Sequence, residues 1–229
     1  MSVHSGLMRI AKPLVKVVCA LLAVSGCALG GCNIVGPAYV LIHGPEKTPA
    51  VYKLDEKKPT VVLVDDRASV LPRRSLRTTI ASRASQELLN EKAVETVIDA
   101  KAIQALLMRD SPDRPTPIAT LGRQVQAQQV IYVTMDRFGL SPDGATYQPF
   151  ADARVKVITT DDGGERVWPT QPEGYALRVV LPIQRDELPS GAGVLVKAQE
   201  ALADRVGVEL SRLFFKYETG VRARDTRPE

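Results

Sequence analysis

Histidine, cysteine and aromatic residues are scarce in this sequence, and each shortage excludes a class of structure. Only two histidines, His4 and His43, occur among 229 residues, too few for a multi-histidine metal centre within one chain. No cysteine follows Cys32, so no disulfide can form within the rest of the chain. Aromatic residues make up 5% of the chain, against 45% for all hydrophobic residues, which predicts a mainly aliphatic core.

The sequence signatures of common cofactor and nucleophile sites are also missing. The chain has no GxSxG, no phosphate-binding P-loop, no dinucleotide-binding glycine pattern and no zinc motif. We therefore expect no bound cofactor and no metal.

The basic character of the chain comes from its N-terminus. Residues 1–31 contain three basic and no acidic residues, so removing them lowers the formal net charge from +4 to +1. Proteins that bind nucleic acid concentrate a basic excess on one surface. A nearly neutral remainder disfavours nucleic acid as a partner.

Residues 1–31 are typical of a bacterial lipoprotein signal peptide. A basic segment precedes the apolar run at 17–24, which is far shorter than the ~20 residues that span a bilayer. The runs VSGC, ending at Cys27, and LGGC, ending at Cys32, both resemble the lipobox, whose cysteine receives diacylglycerol. We expect acylation at Cys32, which leaves no free thiol in the mature chain, with Cys27 as the alternative. Asn33, where an aspartate would favour the inner membrane, favours the outer membrane.

Composition divides the chain into four parts. They are the signal peptide at 1–31, a tether rich in proline and glycine at 32–58, an α/β domain at 59–217 and a charged tail at 218–229. The tether is expected to dock loosely on the domain.

The domain is predicted to be α/β, a single mixed sheet with helices packed on it. The run TVVLV at 60–64 is typical of a strand buried on both faces. Leu76, Ile80, Ala84 and Leu88 predict an amphipathic helix. A short strand and two helices should follow, then hairpin strands.

The ends of two helices are predicted from single residues. Thr116 is expected to be the N-cap of the third helix, with Pro117 as its first residue. A long C-terminal helix is expected over 194–217, ended by Gly220.

Two segments resemble a group of bacterial envelope lipoproteins. The run QAQQVIYV at 126–133 is similar to a strand of that group, and VKVITTDDGGERVW at 155–168 is similar to its late hairpin. The group includes the curli-secretion lipoprotein CsgG, the penicillin-binding-protein activator LpoB and the N-terminal domain of TolB. The resemblance spans roughly residues 60–168 and implies a non-catalytic scaffold that docks partner proteins. The runs GPAY, IHGP, VDDR and PRRSLR also resemble lipoproteins of planctomycete type.

Asp65 and Asp66 follow the first strand of the domain, where open α/β sheets bind ligands. The two carboxylates could act as acid and base or hold a metal. The structural alternative is that Asp65 caps a turn and pairs with Arg67 or Arg73.

Arg73, Arg74 and Arg77 crowd the start of the following helix, where cations oppose the helix dipole. Either the nearby aspartates form an ion-pair network with them, or the arginines bind an anion such as a phosphate or a glycan carboxylate.

Trp168, the sole tryptophan, stands beside Pro169 at the end of a strand. It is expected to pack against the core or its rim, with a ligand platform as the alternative.

Together these patterns predict a periplasm-facing lipoprotein, held at the outer membrane by its acylated cysteine, that binds an envelope protein without catalysis. An anionic envelope polymer is a second candidate partner. The alternatives are an enzyme that acts on envelope glycan through Asp65 and Asp66, and an oligomeric subunit of a secretion or transport complex. An enzyme should present a concave pocket at that strand end, whereas an adaptor should present a flat or apolar exposed patch.

Overall fold

The computed structural model describes residues 47–111, 114–161 and 163–218. The predicted signal peptide, Cys27, Cys32, most of the predicted tether and nearly all of the predicted tail lie outside these residues. The strands are β1 (Lys47–Thr48), β2 (Thr60–Asp65), β3 (Val97–Ile98), β4 (Gln129–Gly139), β5 (Phe150–Thr159), β6 (Arg166–Trp168), β7 (Tyr175–Val180) and β8 (Tyr217–Glu218). The helices are α1 (Ser75–Asn90), α2 (Ala100–Arg109), α3 (Ile118–Gln124) and α4 (Ala192–Ser211).

Most described residues belong to one compact unit, Thr48–Tyr217, while Lys47 and Glu218 belong to a second unit. The side chains of Lys47 and Glu218 form an ion pair with an N–O distance of 3.7 Å.

Within the described residues, the main sheet has six strands and is mixed, as the sequence predicts. β2 pairs in parallel with β3 on one side and with β4 on the other, and β4 pairs antiparallel with β5. β6 and β7 both pair antiparallel with β5. The two parallel pairings are joined through helices, because a parallel crossover needs a connection long enough to return along the sheet. The α/β fold class is thus confirmed.

β2 is buried on both faces because helices cover each side of it. Val62 and Val64 point into a core shared with α1 and α4, whereas Val61 and Leu63 point into a second core beneath α2 and α3. All six residues of β2 are buried. The branched side chains of β2 therefore suit its position at the centre of the sheet.

The two long helices pack together at Gly207. A Cβ atom at this position would lie 2.8 Å from the carbonyl oxygen of Ile80 and 2.7 Å from Cβ of Arg83. Only a residue without a side chain allows α4 to approach the backbone of α1 so closely.

Residues that the sequence analysis assigns to the tether lie within the compact unit. Leu54 is buried in the main core, and the backbone N–H groups of Val51 and Tyr52 donate to the carbonyl of Leu213. The compact unit therefore begins about ten residues before position 59.

Two predicted helix ends are wrong. The Thr116 N–H and hydroxyl both donate to Asp110, and Pro117 has an extended ψ of 137°, so Pro117 is the N-cap and α3 starts at Ile118. α4 ends at Ser211, well before Gly220. Leu213 and Phe214 continue the apolar spacing of α4, but they lie in a turn that closes the core.

Candidate functional site

The predicted acidic residues lie at the point where the sheet changes direction. From β2 the chain passes to β3 on one side of β2 and then to β4 on the other. Loops at the carboxyl ends of such strands diverge and leave a crevice. Asp65 ends β2, and Asp66 follows it at this crevice.

Asp65 is held by side chains from two elements. The Tyr132 hydroxyl on β4 donates to Oδ2 of Asp65 over 2.7 Å. Arg67 forms an ion pair with the same oxygen at 3.1 Å, and the Arg67 backbone N–H donates to Oδ1. Asp65 has 2% of its surface exposed. The expected pairing of Asp65 with Arg67 is present, and Arg73 takes no part in it.

Asp66 holds the loop between β2 and α1. Its two carboxylate oxygens accept the backbone N–H groups of Val70, at 2.7 Å, and Leu71, at 3.2 Å. Nη2 of Arg77 lies 3.4 Å from Oδ2 of Asp66 and also donates to the Asp66 carbonyl. Asp66 is also 2% exposed. Its bonds to Val70, Leu71 and Arg77 connect the loop to the first turn of α1.

Asp110 is a third carboxylate at this crevice, which the sequence analysis did not single out. It accepts the hydroxyl of Thr116 at 2.7 Å, and Nη2 of Arg67 lies 3.8 Å away. The bonds from the Thr116 hydroxyl and N–H lower the pKa of Asp110. Asp110 is the C-cap residue of α2, and no sequence pattern relates the end of this helix to β2.

Tyr132 is a second residue that the sequence analysis did not assign to the site. Burial, and after it the hydrogen bond to Asp65, raise the pKa of Tyr132 to about 12. The phenol therefore stays protonated and donates to Asp65 throughout the neutral range.

The three arginines at the start of α1 lie in different surroundings and do not form one cluster. Arg73 points to α4, where its guanidinium contacts Glu200, Gln199 and the carbonyl of Val196. Arg77 pairs with Asp66, and Arg74 is exposed at the crevice. Arg74 is the N-cap residue of α1 and Arg77 lies in its first turn, so Arg73 and Arg74 precede the helix.

The crevice contains two adjoining cavities of about 340 Å³ and about 390 Å³. We call them together the strand-end cleft. Both are lined by Asp66, Ser69, Arg77 and Met108. The first also reaches residues 65, 67, 107, 110 and 111, and the second reaches residues 71, 72 and 74. A concave pocket thus exists at the strand end, the feature expected of an enzyme or of a small-ligand site.

Trp168 lies away from this cleft, in a cluster of aromatic rings. Its ring is stacked on Tyr52 with centroids 5.4 Å apart, and it contacts Tyr175 at 5.0 Å and Phe214 at 6.0 Å. Trp168 therefore packs at the rim of the main core, as expected, and holds residue 52 against β6 and β7.

An exposed apolar segment, the other expected feature, occurs before and within the start of α4. Leu188, Val194 and Leu195 are each more than a third exposed, and residues 188–196 contain no charged side chain. Val180 and Ile183 are similarly exposed just before this segment.

Two features are absent from the part of the chain that the structure describes. Among the described residues, no helix is both long and apolar enough to cross a bilayer. Within the same residues, no three histidine, cysteine or acidic side chains are grouped in a way that could hold a metal ion.

Comparison with known proteins finds similarity only among solved structures. No protein-family model matches the chain, and no curated protein sequence matches it. The PelC dodecamer from Paraburkholderia phytofirmans is 14% identical, with 73% of this chain and 94% of that chain covered and a TM-score of 0.38. Lipoprotein GNA1162 from Neisseria meningitidis is 14% identical, with 66% and 99% covered and a TM-score of 0.36. The LpoB C-terminal domain from Salmonella enterica is 16% identical, with 55% and 84% covered and a TM-score of 0.30. Each of these TM-scores is below 0.5, so none of these likenesses assigns a function to this chain.

Proposed function

We propose that this protein is a lipoprotein, anchored at the outer membrane through Cys32, that faces the periplasm and acts as a non-catalytic binding or activator module for an envelope protein complex. The lipobox-like sequence supports the anchor. The carboxylates of the strand-end cleft already accept hydrogen bonds from the protein itself, which supports the absence of catalysis. This second observation carries the proposal.

A catalytic acid or base must be able to exchange a proton with a substrate. Asp65 and Asp66 are each 2% exposed and accept hydrogen bonds that fix the β2 end, the following loop and α1. An aspartate used in this way stabilises the fold, and its reaction with a substrate would break the bonds that shape the cleft. The concave cleft is therefore better suited to holding a ligand than to transforming one.

The exposed apolar segment at 188–196 supports a protein partner. Contiguous exposed apolar patches mark surfaces that bind other proteins or membranes, and these exposed side chains are neighbours in the chain. A module with a ligand cleft and a separate apolar surface fits an adaptor better than a simple hydrolase.

Cross-linking in native membranes tests this proposal. The wild-type protein should form a discrete cross-linked species with another envelope protein, and the Asp65→Asn variant should form the same species, because the proposed role needs no carboxylate chemistry. The same preparations are then incubated with isolated envelope glycan. Glycan fragments that appear with wild-type protein but not with folded Asp65→Asn protein would establish the enzyme alternative instead.

Size-exclusion chromatography of the detergent-solubilised protein distinguishes an oligomeric accessory subunit from a monomeric adaptor. A single ring-sized species would favour an oligomeric accessory subunit of a secretion or transport complex, whereas a monomer would favour an adaptor.

A further inference from the structure

The strand-end cleft separates its charges by depth. Its carboxylates are turned inwards, since Asp65 and Asp66 are each 2% exposed and the Asp110 side chain is 9% exposed. Two of its cations are accessible, because the Arg67 side chain is 49% exposed and Arg74 lies at the surface, whereas the Arg77 side chain is 18% exposed. A ligand that enters the cleft therefore meets guanidinium groups before it meets carboxylates.

Arg74 and Arg77 keep hydrogen-bond donors that the fold does not use. A guanidinium carries five N–H donors in a planar fork. Within the described residues, Arg77 bonds only through Nη2, which leaves the N–H donors of Nη1 unused, whereas its unpaired Nε is buried. Arg74 has no side-chain hydrogen bond or ion pair within the same residues.

The other accessible groups of the cleft complete an amphipathic lining. Ser69 and Ser111 are exposed and add hydroxyl groups, while Leu107 and Met108 add apolar surface. Met108 is 63% exposed, so its apolar side chain is accessible to a ligand in the cleft.

We propose that the strand-end cleft binds an oxyanion, a carboxylate or a phosphate, carried by a ligand about the size of a sugar. Planar arginine forks match both groups, because each presents two oxygens to two parallel N–H donors. Cavities of this volume suit a small ligand with one charged group and an apolar or ring-shaped remainder. This inference rests on the proposed function, for which it names the ligand class of the cleft.

Isothermal titration of the full chain, purified in detergent, tests the inference with three probes: glucuronate, glucose 6-phosphate and glucose. At least one anionic sugar should bind about tenfold or more tightly than neutral glucose. The better of the two anions identifies whether the natural group is a carboxylate or a phosphate.

Substitutions locate the binding. Arg74→Gln should weaken the anion at least about fivefold and leave the fold intact, because Arg74 has no described side-chain partner. Arg77→Gln should weaken it further, although this change also disturbs Asp66. Arg178→Gln is the matched control, since Arg178 is an arginine with a 70% exposed side chain on β7, and it should change nothing.

Three results would each overturn the inference: equal binding of glucose, no binding of any probe up to about 10 mM, which corresponds to less than ~3 kcal/mol of binding free energy, or unchanged binding by Arg74→Gln. None of these results contradicts the proposed function, which cross-linking and acylation of Cys32 test separately.

Discussion

Removal of the Asp66 carboxylate should destabilise the protein strongly, because that group supports the loop beneath the cleft. In Asp66→Ala, the N–H groups of Val70 and Leu71 lose an ionised acceptor, and each such bond contributes roughly 1.5–3 kcal/mol. Arg77 also loses its partner, but its side chain is 18% exposed and water can reach it, so this loss adds less than a fully buried pair. The expected loss in the free energy of unfolding is about 3–6 kcal/mol.

Urea denaturation followed by the fluorescence of Trp168 measures this loss. Trp168 is the sole tryptophan and lies in an aromatic cluster that unfolding disperses. In a domain of this size the melting temperature should fall by roughly 6–24 °C. Asp66→Asn retains one acceptor oxygen, so its loss should be about half as large.

Asp136→Ala is the matched control. Asp136 pairs with Arg154 at 2.8 Å, but its side chain is 37% exposed, so its removal should cost about 1 kcal/mol or less. If Asp66→Ala lost no more stability than Asp136→Ala, the carboxylate would not be structural. The main argument against catalysis at Asp66 would then fail.

Two further predictions concern helix packing and acid stability. Gly207→Ala should lose about 1–2 kcal/mol in urea denaturation, because the new methyl group meets the carbonyl of Ile80, whereas Gly193→Ala, which has open space around it, should gain roughly 0.4–1 kcal/mol. Equal effects of the two changes would refute the close contact. Asp110 has a lowered pKa because Thr116 donates to its charged form, so its stabilisation is present above the unfolded pKa of about 4 and is lost as pH falls through the folded value. Urea midpoints of wild type and Asp110→Asn should therefore differ most above about pH 4 and converge in stronger acid, and a constant difference would contradict this.

The central strand was predictable because its sequence follows directly from its burial. The run TVVLV is typical of a strand that is buried on both faces. Such burial implies helices on both sides of the sheet, with a crevice where the strand ends. The sequence offered Arg67 or Arg73 as the partner of Asp65, and the partner is Arg67, only two positions away.

The rest of the cleft could not be read from the sequence, because it depends on which way side chains point after the chain has folded. Arg73 and Arg74 are adjacent, yet Arg73 bonds to Glu200 and Arg74 lies at the cleft. Tyr132 and Asp110 reach the site through the register of β4 and the end of α2, which are long-range features. Leu213 and Phe214 kept the helical spacing while lying in a turn, because burial in the core does not require a helix.

The central claim is that an acylated cysteine holds this α/β domain at a membrane, where it binds rather than catalyses. Intact-mass spectrometry of the protein from native membranes tests the claim most directly, with Cys32→Ser and Cys27→Ser variants as the matched pair. The account predicts a mature chain that begins at Cys32 and carries fatty acyl groups, with acylation lost in Cys32→Ser and retained in Cys27→Ser. A mature chain without acyl groups would contradict it.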